Sequence, residues 1–156
     1  MTKESANGRK TIATNKRAFR DYFIIERIEA GLVLQGTEVK SLREGRASMT
    51  DSYATVDDDE AYLLNLHIPP YESGNRFNHD PKRTRKLLLH KRQIRRLQGL
   101  ITEKGLTVVP LSLYFLKGKA KVELAVAKGK RLYDKREAMA KAEAKRELER
   151  EMRRRS

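Results

Sequence analysis

Apolar residues fall in short runs whose period changes along the chain, and the changes mark the elements. Residues 1–15 are polar and small, with Asn7-Gly8 as a turn signal, and predict a flexible N-terminal arm. From Asp21 the residues become β-branched or aromatic: Tyr22, Phe23, Ile24, Ile25 and Ile28, then Gly31 as punctuation, then Leu32, Val33 and Leu34. This predicts a first hairpin. After Gly36, Val39 and Leu42 stand three apart between Thr37, a candidate N-cap, and Gly45 at the C′ position, so a short helix follows. Tyr53, Thr55 and Val56, then Tyr62, Leu63, Leu64 and Leu66, flank the run Asp57-Asp58-Asp59-Glu60. That is the pattern of a second hairpin with an acidic turn.

Residues 69–80 are rich in Pro, Gly, Asn and Asp and predict an exposed connection, with Tyr71 and Phe77 as its aromatics. Asp80-Pro81 supplies an N-cap followed by proline at the first helical position, and Leu87, Ile94, Leu97 and Ile101 recur at helical spacing. One long helix is therefore predicted, ending at Gly105. Residues 107–116, the Lys117-Gly118-Lys119 turn, and residues 120–127, where Val122, Leu124 and Val126 alternate with polar or small residues, predict a third hairpin. Six strands in hairpins, with one short and one long helix, predict a mainly β fold. An antiparallel β-barrel of the oligonucleotide-binding type fits, whereas a parallel sheet would need alternating βα units.

Residues 128–156 carry 12 basic and 6 acidic residues and few large apolar ones, chiefly Leu132, Tyr133, Met139, Leu148 and Met152. Nothing there builds a core. Residues 138–155 are nearly all strong helix formers, with i,i+4 pairs at Glu137/Lys141, Glu149/Arg153 and Glu151/Arg155. Each pair contributes only about 0.2–0.5 kcal/mol, and an isolated helix of this length is marginal. The expected organisation is a flexible arm over 1–15, a barrel over 16–127, and a basic tail over 128–156 that is disordered when free and helical on a partner.

Composition narrows the function. Lys and Arg number 35 against 21 Asp and Glu, a formal net charge of +14, so the surface attracts polyanions. Nucleic acid, an anionic membrane and an acidic protein all satisfy that condition. The chain has no cysteine, which excludes disulfide scaffolds, zinc ribbons, iron–sulfur clusters and thiol nucleophiles. No run approaches the roughly 18 apolar residues of a membrane span, and the first ten residues lack the apolar core of a signal peptide, so a cytoplasmic protein is expected.

The most informative charge pattern is Lys82, Arg83, Arg85, Lys86, Lys91, Arg92, Arg95 and Arg96, with no acidic residue between Pro81 and Thr102. Solvated helix faces usually mix signs because like charges at i,i+4 repel, so the run reads as a footprint for a phosphate backbone. Candidate chemistry is absent elsewhere. His67, His79 and His90 have neither metal-ligand nor triad spacing. The acidic run at 57–60 sits where a hairpin must turn. Lys128-Gly129-Lys130 is no phosphate loop, since Leu124 occupies the first glycine position and Arg131 the Ser/Thr position. No catalytic residue, metal or cofactor is predicted, and the chain reads as a binding protein rather than an enzyme.

Several stretches together, in order, resemble the SsrA-binding (small protein B) family, the tmRNA-binding proteins of bacterial trans-translation. They are Asn15-Lys16-Arg17-Ala18, Glu29-Ala30-Gly31-Leu32, residues 35–43 (QGTEVKSLR), Asp51-Ser52-Tyr53, Asp80-Pro81 with residues 83–89 (RTRKLLL), and Ala127-Lys128-Gly129-Lys130 with Asp134-Lys135-Arg136. The resemblance implies a monomer that binds the tRNA-like domain of tmRNA one-to-one and helps bring it to ribosomes stalled without a usable stop codon. It implies that the tail enters the empty mRNA channel beside the small-subunit rRNA of the decoding region and becomes helical there. By the same resemblance Glu29, Leu88 and Lys121 match positions that contact tmRNA, and Asn15 lies in a matching segment on the RNA side. Gly129, Lys130, Asp134, Lys135 and Arg136 match the base of the tail, with Tyr133 where some relatives carry histidine.

Physical chemistry agrees in part. Lys121 can pair a phosphate and Leu88 can support a stacked nucleotide, while Glu29 must accept hydrogen bonds from base or ribose groups. Leu88 fits a core position equally well, and Glu29 fits the rim of a hairpin. Two rival readings stay open: a ribosomal or rRNA-assembly protein, and a metal-dependent RNA-cleaving enzyme using residues 57–60.

Overall fold

Strand alternation organises the computed structural model, which describes the backbone of residues 3–4, 8–72 and 78–155 and the side chains of 8–72, 78–130 and 139–154. In chain order the strands are β1 (Lys3–Glu4), β2 (Arg9–Thr14), β3 (Tyr22–Leu32), β4 (Tyr53–Asp57), β5 (Glu60–Leu64), β6 (Arg85–Leu88), β7 (Thr107–Leu116) and β8 (Lys119–Gly129). The helices are α1 (Lys16–Asp21), α2 (Gly36–Arg43), α3 (Lys91–Thr102) and α4 (Lys130–Arg155). All strand pairs are antiparallel, in the order β1-β2-β7-β4-β5-β6-β3-β8, and β8 pairs again with β7. That last pairing closes six strands into the predicted barrel.

Inward positions fill the barrel. Ile28, Ala30 and Leu32 of β3, Leu63 of β5, Leu87 of β6, Leu113 of β7 and Val122, Leu124 and Val126 of β8 share one core with Leu42 of α2 and Ile94 and Leu97 of α3. A smaller apolar cluster forms outside the barrel, where Ala18 of α1 covers Val109, Leu111, Ala125 and Ala127. The second and third hairpins are as expected. Each turns on two residues with positive φ, Asp58 and Asp59 at 49° and 60°, and Lys117 and Gly118 at 50° and 78°. Such pairs match the right-handed twist of their strands, so the acidic run is turn chemistry.

Four expectations need correction. Residues 9–14 are not a loose arm: β2 pairs with β7 from Arg9↔Leu116 to Thr14↔Ser112. Polar residues suffice there because one face of this outer strand meets solvent. The first hairpin is instead one strand of 11 residues, β3. Gly31 is paired, not turned, and a Cβ there would stand 3.1 Å from the Leu88 Cβ. The glycine marks a close approach between strands. Thr37 does not cap α2; its hydroxyl bonds the His79 ring at 2.8 Å, and Gln35 takes the cap position.

The long helix over 81–104 is divided. The Asp80 carboxylate accepts from the Lys82 N–H at 3.0 Å, and the Asp80 carbonyl accepts from Arg83 at 3.2 Å, which makes a turn. Residues 85–88 then alternate buried and exposed as β6, and the helix begins only after His90. Leu87 and Ile94 are seven apart, an interval that fits a strand followed by a helix as well as one continuous helix.

What holds β6 in register is a buried ion pair. Arg85 and Glu38 are both fully buried. The Arg85 guanidinium donates to Glu38 Oε2 and to the carbonyls of Leu66, Arg83 (3.0 Å) and Pro81 (3.1 Å). Glu38 Oε1 accepts from Arg83 Nη2 at 2.6 Å and from the Gln35 N–H at 2.7 Å. Burial pushes the Glu38 carboxyl upward, but hydrogen bonds from Arg83, Gln35 and Arg85 outweigh it and hold the pKa below the usual Glu value. Burial lowers the Arg85 pKa against the opposing pull of Glu38.

Glu38→Gln leaves Arg85 buried without its counter-charge and should destabilise the fold by about 3–5 kcal/mol, read by urea denaturation at pH 7. A carboxylate with a depressed folded pKa contributes stability above its unfolded pKa and loses it as pH falls through the folded value. The gap between wild type and Glu38→Gln should therefore narrow below about pH 4. A gap that is constant from pH 7 to pH 3 would contradict this assignment.

Candidate nucleic-acid interface

Because Ile28, Ala30, Val122 and Leu124 point into the barrel, their alternates Glu29, Gly31, Lys121 and Glu123 face outward. Gly31 pairs with Lys121 on one side and with Leu88 on the other, so three neighbouring strands place Leu88, Gly31 and Lys121 in one row. Glu29 lies two residues along β3. With no side chain at Gly31, the row has a notch between a leucine and a lysine. It opens into a cleft of about 370 Å³ lined by Glu29, Gly31, Leu88, Leu89, His90, Gln93 and Lys121. Leu88 is 56% exposed, which removes the core reading. An exposed leucine beside a lysine and a carboxylate offers a base an apolar surface, a phosphate a cation, and a base or ribose donor an acceptor.

The charges around this row are arranged. Glu29 is paired with Glu123 across β3 and β8, a like-charge juxtaposition that disfavours the sheet. Glu123 is offset by Arg9 at 3.4 Å and Arg27 at 3.3 Å. Glu29 has no ion pair among the described residues; its Oε2 accepts a hydrogen bond from the Tyr114 hydroxyl. Tyr114 is 1% exposed, and the Arg9 guanidinium lies 3.5 Å from its ring centroid. Burial, the hydrogen bond to Glu29 and the Glu29 charge push the Tyr114 phenol far above the ordinary tyrosine range, so it stays a donor. Sequence reading missed Tyr114 and Arg9. No local pattern links residues 9, 29 and 114; only strand register does.

The basic run is not unopposed. Arg85 belongs to the buried pair with Glu38 and offers nothing to a phosphate, so it leaves the footprint. Arg83 is held by Glu38 at 2.6 Å, Lys86 by Glu60 at 3.1 Å, and Arg96 by Glu26. Each acid comes from a distant segment, which a linear scan cannot see. Lys82, Lys91, Arg92 and Arg95 are exposed with no ion pair among the described residues. Asn15, half-buried, has a local structural role: its Oδ1 caps α1 through the Ala18 N–H at 3.2 Å, and its Nδ2 donates to the Pro110 carbonyl at 2.9 Å. A bulge between Pro110 and Ser112 releases carbonyls from the ladder, and Asn15 binds two of them, its own N–H reaching Leu111 at 2.7 Å.

The tail base stands apart from the row. Gly129 ends β8, paired with Tyr22, and Lys130 opens α4 with its Nζ 5.2 Å from the Phe23 ring centroid. Eight residues of extended strand separate Lys121 from Gly129, roughly 26 Å. The side chains of Tyr133, Asp134, Lys135 and Arg136 lie outside the described residues. From 139 to 154 every side chain of α4 is exposed. Among the described residues no group of three His, Cys, Asp or Glu side chains is placed to hold a metal ion, and no helix is long and apolar enough to cross a membrane.

Comparison with known proteins gives a consistent result. The model of the family described as "SmpB protein" matches residues 12–154. The SsrA-binding protein of Geobacter metallireducens is 62% identical over 96% of this chain and 97% of its own length. That of Carboxydothermus hydrogenoformans is 59% identical over 92% of this chain and 97% of its own. A solved chain described as "tmRNA-SmpB: a journey to the center of the bacterial ribosome" superposes with a TM-score of 0.65 at 55% identity, covering 76% of this chain and 83% of that one.

Adjacent leucines of β6 should respond oppositely to substitution. Leu87→Ser, at a buried site, should cost about 3 kcal/mol or more, whereas Leu88→Ser should change stability by no more than about 0.5 kcal/mol. Parallel thermal melts of the two variants check this, and equal losses would contradict the β6 register.

Proposed function

The chain belongs to the SmpB protein family, and on that premise we propose that it binds the tRNA-like domain of tmRNA through the outer face of β3, β6 and β8 and delivers it to stalled ribosomes for trans-translation. The observation that carries the site is the row Leu88, Gly31 and Lys121 with Glu29 beside it, assembled from three strands on one exposed face. Lys121 pairs a phosphate, Leu88 supports a nucleobase, and Glu29 accepts from a base or ribose. Lys82, with Lys91, Arg92 and Arg95 along α3, extends the cationic surface, and Lys86 and Arg83 contribute to the extent that their acids release them. The protein acts by binding in the cytoplasm, one copy per tmRNA, and catalyses no reaction.

The tail serves the second RNA. A helix of 26 residues is roughly 39 Å long, and α4 has no apolar stripe with which to pack on its own barrel. Such a segment suits a channel walled by phosphate, where its cations release counterions on every side. The tail is disordered before binding and helical in the empty mRNA channel, with Gly129, Lys130, Tyr133, Asp134, Lys135 and Arg136 at the decoding region. A ribosomal or rRNA-assembly protein is the alternative, and sequencing the RNA that copurifies with the protein from its own cells separates the two.

Truncation after Arg131 should leave affinity for tmRNA within about twofold in a gel shift at fixed salt, while abolishing tagging of nascent chains on stalled ribosomes. Tagging by the truncated protein would exclude the channel role. Loss of tmRNA affinity on truncation would place part of the primary RNA site on the tail.

A further inference from the structure

An exposed carboxylate repels phosphate, so Glu29 can help to hold RNA only if its oxygens are aimed at a hydrogen-bond donor. We propose that Tyr114 is the positioning residue that aims it: the buried phenol, fixed by Arg9, holds the Glu29 carboxylate ready to accept from a base N–H or a ribose hydroxyl. The inference rests on the reading that Glu29 touches RNA. It extends the site from β3, β6 and β8 to β7 and to the N-terminal strand β2.

The contacts form one chain. Arg9 of β2 is itself held by the Ser112 hydroxyl at 2.7 Å and by Glu123 at 3.4 Å. Its guanidinium stacks on the Tyr114 ring at 3.5 Å, and the Tyr114 hydroxyl donates to Glu29 Oε2. Tyr114 is the only fully buried aromatic side chain among the described residues, so its hydroxyl is presented from one place. Oε1 of Glu29 accepts no hydrogen bond from any described residue.

The donor's chemistry suits the task. A lysine or arginine in place of Tyr114 would also orient the carboxylate, but would neutralise it and weaken it as an acceptor. A phenol that stays protonated orients without cancelling the charge. Orienting the side chain before RNA arrives also removes the rotamer entropy that a free glutamate would lose on binding. Arg9 performs the corresponding service for Glu123, whose charge would otherwise oppose that of Glu29 across the strands.

The test is a double-mutant cycle on the full-length protein, read as dissociation constants for a transcript of the tmRNA tRNA-like domain at fixed salt. Glu29→Gln and Tyr114→Phe should each weaken binding by about 5- to 10-fold, the net scale of one hydrogen bond. The double variant should bind no more weakly than Glu29→Gln alone, because both remove the same contact, whereas Lys121→Ala should multiply with Tyr114→Phe. A purely structural Tyr114 would give the same loss in both Glu29 backgrounds. If Tyr114→Phe binds like wild type while Glu29→Gln is weak, positioning is overturned and the role of Glu29 survives. If Glu29→Gln binds like wild type, the reading of Glu29 falls and takes the inference with it.

Arg9→Ala supplies a second route that leaves the buried ring intact. Its loss of affinity should shrink in the Glu29→Gln background. An equal loss in both backgrounds would make Arg9 a simple phosphate contact and count against the inference.

Discussion

Arg85 sits within the chain's longest acid-free run of positive charge, yet it is fully buried, with Glu38 and three backbone carbonyls around its guanidinium. Strand side chains alternate with a period of two, so a slip of one residue in β6 would put Lys86 and Leu88 inside and Arg85 and Leu87 outside. Two apolar residues and two cations would then simply exchange places, and hydrophobicity discriminates poorly between the two registers. Glu38 discriminates strongly, because an arginine with its fork geometry satisfies a carboxylate and several carbonyls at once. The pair therefore sets the strand that presents Leu88, and it ties α2 to β6.

From that register the row of Leu88, Gly31 and Lys121 follows. Gly31 lies opposite Leu88, where a Cβ would crowd it at 3.1 Å, and the missing side chain leaves the notch beside Lys121. The apolar packing of the barrel interior forces the alternate residues of β3 and β8 outward, where they are free to carry chemistry. The proposed binding surface and the core are two faces of the same strands. The tail takes the opposite end of β8, so the row and the tail share one strand while remaining well separated.

Electrostatics within the fold is more selective than the net charge of +14 suggests. Glu26, Glu38, Glu60 and Glu123 each neutralise a cation from a distant segment, and they leave exposed cations along α3. Acidic residues thereby decide which lysines and arginines of this run face solvent unpaired among the described residues. Surface pairs such as Lys86 with Glu60 contribute little to stability, and a phosphate can displace them. The buried pair cannot be displaced in that way.

Much of this was legible in the sequence. The second and third hairpins, the short helix, the barrel class and the helical tail follow from period, turn residues and helix propensity, all of which act within a few residues. The resemblance of ordered motifs pointed to Glu29, Leu88 and Lys121 as candidate contacts, and the structure brings the three to one outer face. The errors have a common origin. Polar β2 was read as an arm because its pairing partner is about a hundred residues away, Gly31 as a turn because a glycine in a paired strand looks the same, and residues 81–90 as helix because a seven-residue apolar interval suits both periods. Arg85 was read as an RNA contact because residue type and neighbourhood do not reveal burial. The sequence by itself determined which segments are amphipathic, where the chain turns, and that its surplus charge seeks a polyanion. Only the tertiary structure decided which cations are neutralised, which leucine faces out, and that Arg9 stacks on Tyr114 while Tyr114 bonds Glu29, because those outcomes depend on strand register and closure between residues far apart in the chain.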